Sequence, residues 1–214
     1  MMDELELLRE DWQKKDKHFP KLSYDQIHNM LWKKSSSIVR FILIISVLEF
    51  TLPHLLYLLP SVRKNLDVYQ NLGLHNALII LSVVQYSVVF YFIYQFYKRY
   101  KEISVLDNSK NLMTKILRTR RTVKHYVIFC LSMLFLTCII FMFGIYLSDN
   151  VADIFVNPKN NDIPPEKLKR ILMWGMGIFG VLFTLFMGGV YFLLYGILLK
   201  KLNRNYKELK QLEV

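Results

Sequence analysis

The stretch Ile38–Leu59, IVRFILIISVLEFTLPHLLYLL, decides the fold of this chain. Its apolar run is about 22 residues long, enough for a helix to cross a hydrocarbon core of ~30 Å at ~1.5 Å per residue. Glu49 lies close to the centre of the run, which predicts an ionisable side chain near the bilayer midplane. Placing a charge there costs roughly 2.5 kcal/mol or more, so such residues mark functional or structural polar sites.

Pro53 leaves a second polar group of Glu49 without a partner. Proline has no N–H, so the carbonyl of Glu49 loses its usual helical partner. Because lipid supplies no water to satisfy these groups, we expect Glu49 to point into a helix bundle and to be mostly protonated. The expected hydrogen-bond partner is Gln85 or a freed backbone carbonyl.

Three further apolar runs predict a four-span protein. The fold class is therefore all-α: an integral membrane four-helix bundle with cytoplasmic helical extensions. A polar N-terminal segment, 1–37, precedes the bundle, 38–199, and a helical extension, 200–214, follows it. The spans are predicted at about 38–59, 75–97, 126–147 and 171–199.

The basic residues predict the orientation. The net charge is +11, which in a soluble protein would suggest nucleic acid, but 22 of the 28 Lys and Arg residues lie in the two termini and the middle connection. The positive-inside rule accounts for this distribution without a nucleic-acid partner. We expect a multi-pass protein of a bacterial inner (plasma) membrane with both termini in the cytoplasm. The acidic start, MMDELELLRED, is unlike a cleavable signal peptide.

Counting residues from the span ends predicts a polar layer at the midplane formed by one residue per helix: Glu49, Gln85, Thr137 and Thr184. A buried carboxyl must be paired or protonated, which such a layer would allow. Three alternatives stay open: a structural latch, proton or ion transport through Glu49, and a bound lipid or partner helix.

Small residues recur along one face of the fourth predicted span. Gly177, Gly180 and Gly188, with Thr184 between them, form a stripe that lets another helix approach closely. The approaching helix can belong to this chain or to a second copy in a homo-oligomer.

The polar segments contain amphipathic helices. The first carries an acidic face and a stripe of Leu5, Leu8 and Trp12, which predicts docking on a soluble cytoplasmic partner. The second opens with Ser23 and Gln26 at capping-box spacing. Alternatively, the extensions pack on one another as a collar. The RTRR run, with Arg118, Arg120 and Arg121, predicts contact with anionic lipid headgroups.

Chemical motifs are absent from the sequence. It contains no HExxH pattern, Walker loop or nucleophile elbow, so no metal, cofactor or catalytic residue is predicted. Cys130 and Cys138 lie inside an apolar run and read as small buried residues. These observations favour a non-enzymatic role.

The run DELELLREDWQKKDKHFPKLSYDQIHNMLWKKSSSIVRFI resembles the start of an uncharacterised family of small four-span membrane proteins of Bacteroidota-type bacteria. Some members carry a carotenoid-cleavage oxygenase label, which implies a β-propeller with a four-histidine iron site that a helical chain does not offer. The family's association with sigma-factor genes implies a membrane-held, anti-sigma-like regulator. We therefore expect a regulatory or interaction protein, with a small transporter or carrier built around Glu49 as the alternative.

Overall fold

The computed structural model describes residues 23–56, 58–59, 67–104, 108–148, 151–155 and 164–212. All regular structure within these ranges is helical. The helices are α1 (Tyr24–Leu56), α2 (Asp67–Asn71), α3 (His75–Ser104), α4 (Ser109–Leu147), α5 (Val151–Phe155), α6 (Pro165–Tyr191), a π-helical turn (Phe192–Gly196) and α7 (Ile197–Leu212). The first predicted amphipathic helix lies outside the described residues.

Four helices are long and apolar enough to cross a membrane: α1, α3, α4 and the continuous unit formed by α6, the π turn and α7. This confirms the all-α, four-span architecture and makes the chain a multi-pass membrane protein by length and composition. Each of these helices is longer than its predicted span. The expected segment boundaries at residues 37 and 199 therefore fall inside continuous helices.

Helix α1 begins with the predicted capping box. The backbone N–H of Gln26 donates to Ser23 Oγ at 3.3 Å, and the Ser23 N–H donates to Gln26 Oε1 at 2.9 Å. These bonds satisfy donors that a helix start leaves free. The helix then continues past Pro53 to Leu56.

The helices pack around α4 and α7. Helix α1 contacts α3 and α7, α3 contacts α4, and α4 also contacts α6 and α7. We call the end at which α1 begins and α7 ends the basic end, and the opposite end, which holds α2 and α5, the loop end. The basic end is marked on each long helix by an exposed cation that borders the apolar surface: Arg40, Lys98, Lys124 and Lys200.

Helical segments extend beyond these cations and pack on one another. We call residues 24–40, 98–104, 109–124 and 200–212 the collar. Tyr24 shares a 2.6 Å hydrogen bond with Ser109, and Trp32 Nε1 donates to the Ile103 carbonyl at 2.7 Å. The fully buried side chains include Ile103, Leu112, Ile116, Leu202 and Leu209. The collar is thus a hydrophobic core continuous with the bundle. The predicted packing of the extensions on one another is found for the second amphipathic segment, the α3–α4 hairpin and α7.

The loop end holds a second, smaller core. Leu72 and Leu74, next to α2, are buried with Ile145 and Val151. Gly73 adopts a φ of 69°, which lets the chain turn between α2 and α3. Leu74 lies so close to Gly144 that an added Cβ there would be 2.5 Å from Leu74 Cδ1.

Candidate functional site

The carboxyl of Glu49 lies at the centre of a hydroxyl cluster formed by three long helices. Tyr126 of α4 donates its hydroxyl to Glu49 Oε2 at 2.7 Å, and Tyr195 of the π turn donates to the same oxygen at 3.1 Å. Tyr126 and Tyr195 are 2% and 1% exposed. One carboxyl oxygen therefore connects α1 to both α4 and the fourth spanning helix.

A second polar pair lies beside the first. The thiol of Cys130 lies beside the side chains of Tyr191 and Tyr126. Cys130 follows Tyr126 by one helical turn on α4, and Tyr191 precedes Tyr195 by one turn. The Tyr191 and Tyr195 rings stack with centroids 5.9 Å apart. We call Glu49, Tyr126, Cys130, Tyr191 and Tyr195 the carboxyl cluster.

Aromatic rings close the cluster on the α3 side. Phe92 and Phe96 meet the Tyr126 ring edge to face at 5.5 and 5.4 Å between centroids, the arrangement that ring quadrupoles favour. The ring of Tyr126 also meets Tyr195 edge to face at 5.9 Å. The hydroxyls are thereby held in fixed directions by packed rings, and the carboxyl meets donors whose positions are already set.

The π-helical turn places Tyr195 in this cluster. A π turn closes i→i+5 hydrogen bonds and contains one more residue than an α turn, and such turns are frequent at functional sites. Phe192–Gly196 is this turn, and it separates the glycine-bearing face of α6 from the collar-facing residues of α7. Tyr195 is its buried residue.

The cluster lies between the collar and the loop end. Tyr126 follows the exposed Lys124 by two residues, and Glu49 follows the exposed Arg40 by nine. At ~1.5 Å per residue Glu49 is about 14 Å inside Arg40, close to half of a ~30 Å hydrocarbon core. The midplane position of Glu49 therefore stays a prediction, and its partner Tyr126 lies nearer the basic end of its own helix.

The start of the first apolar run is buried within the protein. Ile38, Val39 and Ile42 pack against the other helices at the collar side. Their apolar character therefore fits a protein core as well as a lipid-facing surface.

The predicted partner of Glu49 is corrected. Gln85 is exposed on α3, and among the described residues the bonds to the carboxyl come from Tyr126 and Tyr195. Thr137 and Thr184 donate instead to carbonyls of their own helices, those of Met133 and Gly180, at 2.8 and 2.7 Å. The four predicted layer residues are therefore not brought together.

Sequence reasoning missed the tyrosines because their rings suit an apolar helix. A usable signal was present: Tyr126 with Cys130, and Tyr191 with Tyr195, are two pairs at i, i+4 spacing, which places both members on one helical face. Polar atoms repeated on one face of a span indicate a position directed into the protein.

The glycine stripe faces α4 of the same chain. A Cβ at Gly180 would lie 2.9 Å from the Cβ of Cys138, and Gly177 and Gly188 lie against Met142 and Leu131. The small residues thus permit close approach between α6 and α4. The space beside these glycines is filled by side chains of α4 in the same chain.

The predicted lipid-contact arginines differ in their surroundings. Arg118 and Arg121 are exposed, whereas Arg120 is partly buried and donates to Asn203 Oδ1 of α7 at 2.7 Å. The docking residues Leu5, Leu8 and Trp12 lie outside the described residues. In the part of the chain that is described, no group of His, Cys, Asp or Glu has the arrangement of a metal site.

Comparison with protein families gives one match. Residues 25–214 match a domain of unknown function, DUF8845, so the chain belongs to this family. No curated protein and no solved structure shows significant similarity to it. The match includes the collar as well as the spans.

Proposed function

We propose that this DUF8845 protein is a non-enzymatic regulatory or interaction protein of a bacterial inner membrane, with an anti-sigma-like arrangement in which cytoplasmic N-terminal helices contact a soluble partner. The collar is the observation that carries the proposal. At ~1.5 Å per residue, α1, α4 and α7 project roughly 20 Å beyond the bordering cations, and α3 projects about 9 Å. Membrane anchoring alone does not require a packed core of this length outside the lipid.

Residues 1–22 are the part of the chain that we expect a partner to contact. The apolar stripe of the second amphipathic segment is engaged, since Leu31 is buried and Ile27 packs beside it. Tyr24 is bonded to Ser109, at the tip of the α3–α4 hairpin. Residues 1–22 precede this point. A soluble protein recruited by Leu5, Leu8 and Trp12 would therefore meet a rigid and strongly basic surface.

Site-specific photo-crosslinking in native membranes tests the proposal. A photoreactive phenylalanine analogue at Leu8 or Trp12 of the full chain is expected to form adducts with one soluble protein. The same analogue at Leu193, which is 62% exposed on the apolar surface, is the matched control and is expected to react with lipid. Adducts of the same soluble protein from all three positions, or from none, would contradict the proposal.

Orientation is tested separately. A cysteine introduced at an exposed collar position, Lys210, is expected to react with a membrane-impermeant maleimide only after the inner membrane is opened. Reaction in intact spheroplasts would place the termini outside the cell and remove access to a cytoplasmic partner.

A small transporter or carrier is the second candidate, and the carboxyl cluster favours it. A carboxyl that accepts hydrogen bonds from hydroxyl groups inside a membrane bundle is the kind of group that proton-coupled carriers use. The test is pH-dependent flux across proteoliposomes. Flux that Glu49→Gln abolishes would support transport, and absence of any proton-driven flux in the wild type would leave the cluster a structural latch.

A further inference from the structure

We infer that α4 carries a binding site for the phosphate of an anionic lipid, in a pocket at the boundary between the collar and the apolar surface. The pocket is open, has a volume of about 270 Å³, and is lined by Leu117, Arg120, Arg121 and Lys124. Their spacing of i, i+3, i+4 and i+7 places all four on one face of the helix. This inference is independent of the proposed function.

Arg120 is held in place before any ligand binds. Its guanidinium donates to Asn203 Oδ1 at 2.7 Å, which fixes the side chain between α4 and α7. Its Nε atom is buried and has no hydrogen-bond partner among the described residues. A buried donor without a partner is costly, and Arg120 is one of the residues that line the pocket.

The charge around the pocket is of one sign. Arg121 and Lys124 are exposed, and the described lining contains no carboxylate. Two acids of the described collar form ion pairs with cations that do not line the pocket. Glu102 bonds Arg99 at 2.8 Å, and Glu208 lies 3.4 Å from Arg204. Guanidinium groups match the geometry of phosphate oxygens, and an ammonium group adds a point charge.

The pocket continues into a surface suited to acyl chains. Ile128 lies one turn beyond Lys124 on the same helical face and is 64% exposed. Phe135 and Ile139 extend this face toward the loop end and are also exposed. A phosphate in the pocket would therefore place the attached chains along an apolar stripe of α4.

Location favours a lipid. The pocket borders the exposed apolar face of α4, so it suits a headgroup whose chains lie outside it. Lys124 lines the pocket. Arg118 is exposed but does not line the pocket. The site that we infer therefore uses Arg120 and Arg121 of the predicted triad and adds Lys124.

Native mass spectrometry of the full chain in detergent tests the site. Phosphatidylglycerol and phosphatidylcholine with identical chains are titrated against the wild type and Arg121→Gln/Lys124→Gln. The wild type is expected to bind phosphatidylglycerol at least tenfold more tightly than phosphatidylcholine. The double variant is expected to bind phosphatidylglycerol roughly 30-fold more weakly, since each cation near the surface contributes about one kcal/mol.

Two control variants isolate the site. Lys33→Gln/Lys34→Gln removes the same charge from an exposed pair on α1 and is expected to change binding less than threefold. Arg121→Lys/Lys124→Arg keeps the charge and is expected to retain most of the affinity. Equal loss in the α1 variant, or equal binding of the two lipids, would overturn the inference.

Glycerol 3-phosphate and inorganic phosphate distinguish a soluble ligand from a lipid. At concentrations that match the lipid titration they are expected to leave the spectrum unchanged, because they lack chains to lie on the apolar stripe. If either bound as tightly as phosphatidylglycerol, the site would belong to a soluble phosphate and the lipid assignment would be wrong.

Discussion

The collar and the loop-end half of the spans are built from the same four long helices, yet they are held together differently. In the collar, large side chains such as Ile116, Leu202 and Leu209 are 0% exposed. Toward the loop end the large apolar residues mostly face outward, as Leu52, Val83 and Leu185 do. The collar buries its large apolar side chains, whereas the loop-end half of the spans exposes them.

Polar side chains do not divide as clearly. In the collar, Asn205 Nδ2 of α7 donates to Ser35 Oγ of α1 at 3.1 Å, whereas Thr119 bonds a carbonyl of its own helix. Hydroxyls in the spans mostly bond within one helix, as Thr51 and Ser87 do. The carboxyl cluster, which joins three helices, is an exception to this pattern in the spans.

The difference follows from the surrounding solvent. Water drives apolar side chains together, so the collar gains stability from burial. Lipid is as apolar as leucine and provides no such drive, so helices in it associate through close packing and hydrogen bonds. Four substitutions test this comparison, from the largest expected effect to the smallest.

Leu202→Ala should have the largest effect, because it opens a cavity in the collar core. Large-to-small changes at such sites cost about 2 to 5 kcal/mol. Hydrogen exchange in nanodiscs is expected to rise in peptides from the collar and to stay unchanged near the loop end. Leu193→Ala is the matched control at an exposed position. Equal effects of the two variants would mean that burial does not separate the two regions.

Gly180→Val should separate α6 from α4. The added Cβ would lie 2.9 Å from that of Cys138, whose position is fixed by the backbone. Overpacking of this kind costs about 1 to 3 kcal/mol, measured as earlier unfolding in dodecyl sulfate. Gly189→Val is the control, because nothing lies within 4 Å of its Cβ position. A neutral Gly180→Val would show that close approach contributes nothing in the spans.

Glu49→Leu should destabilise the junction by about 1 to 2 kcal/mol, since two hydroxyls lose their acceptor and such bonds contribute about 0.6 kcal/mol each in membranes. Glu49→Gln keeps an acceptor oxygen and is expected to retain stability. Gln85→Leu removes an exposed amide and is expected to be neutral. The readout is again unfolding in dodecyl sulfate. If Leu and Gln were tolerated equally at position 49, the latch would be disproved.

Thr184→Val should have the smallest effect, below about 0.5 kcal/mol, because its hydroxyl bonds the Gly180 carbonyl of its own helix. Thr137→Val is expected to behave in the same way. Thermal melting in one detergent measures both. A large loss from either variant would mean that the predicted midplane layer acts between helices after all.

The sequence predicts the long helices well, because apolar runs of span length separated by turn residues have few alternatives. It also predicts the Ser23 cap and the polar character of Glu49. It does not predict the tyrosine partners, because the ring of Tyr126 satisfies the apolar pattern and conceals its hydroxyl. Hydropathy also does not distinguish a side chain on the exposed apolar surface, such as Phe41, from one that fills a core, such as Val39.

The π turn has a consequence for how this chain tolerates insertions and deletions. The turn holds one residue more than an α-helical turn, and each residue rotates a helix by about 100°. Deleting one residue from this turn, such as Leu194, is therefore expected to leave an ordinary α turn, with Leu202 and Leu209 still directed into the core. A one-residue deletion inside α7 has no extra residue to remove, so it would rotate the part of this sixteen-residue helix that follows it.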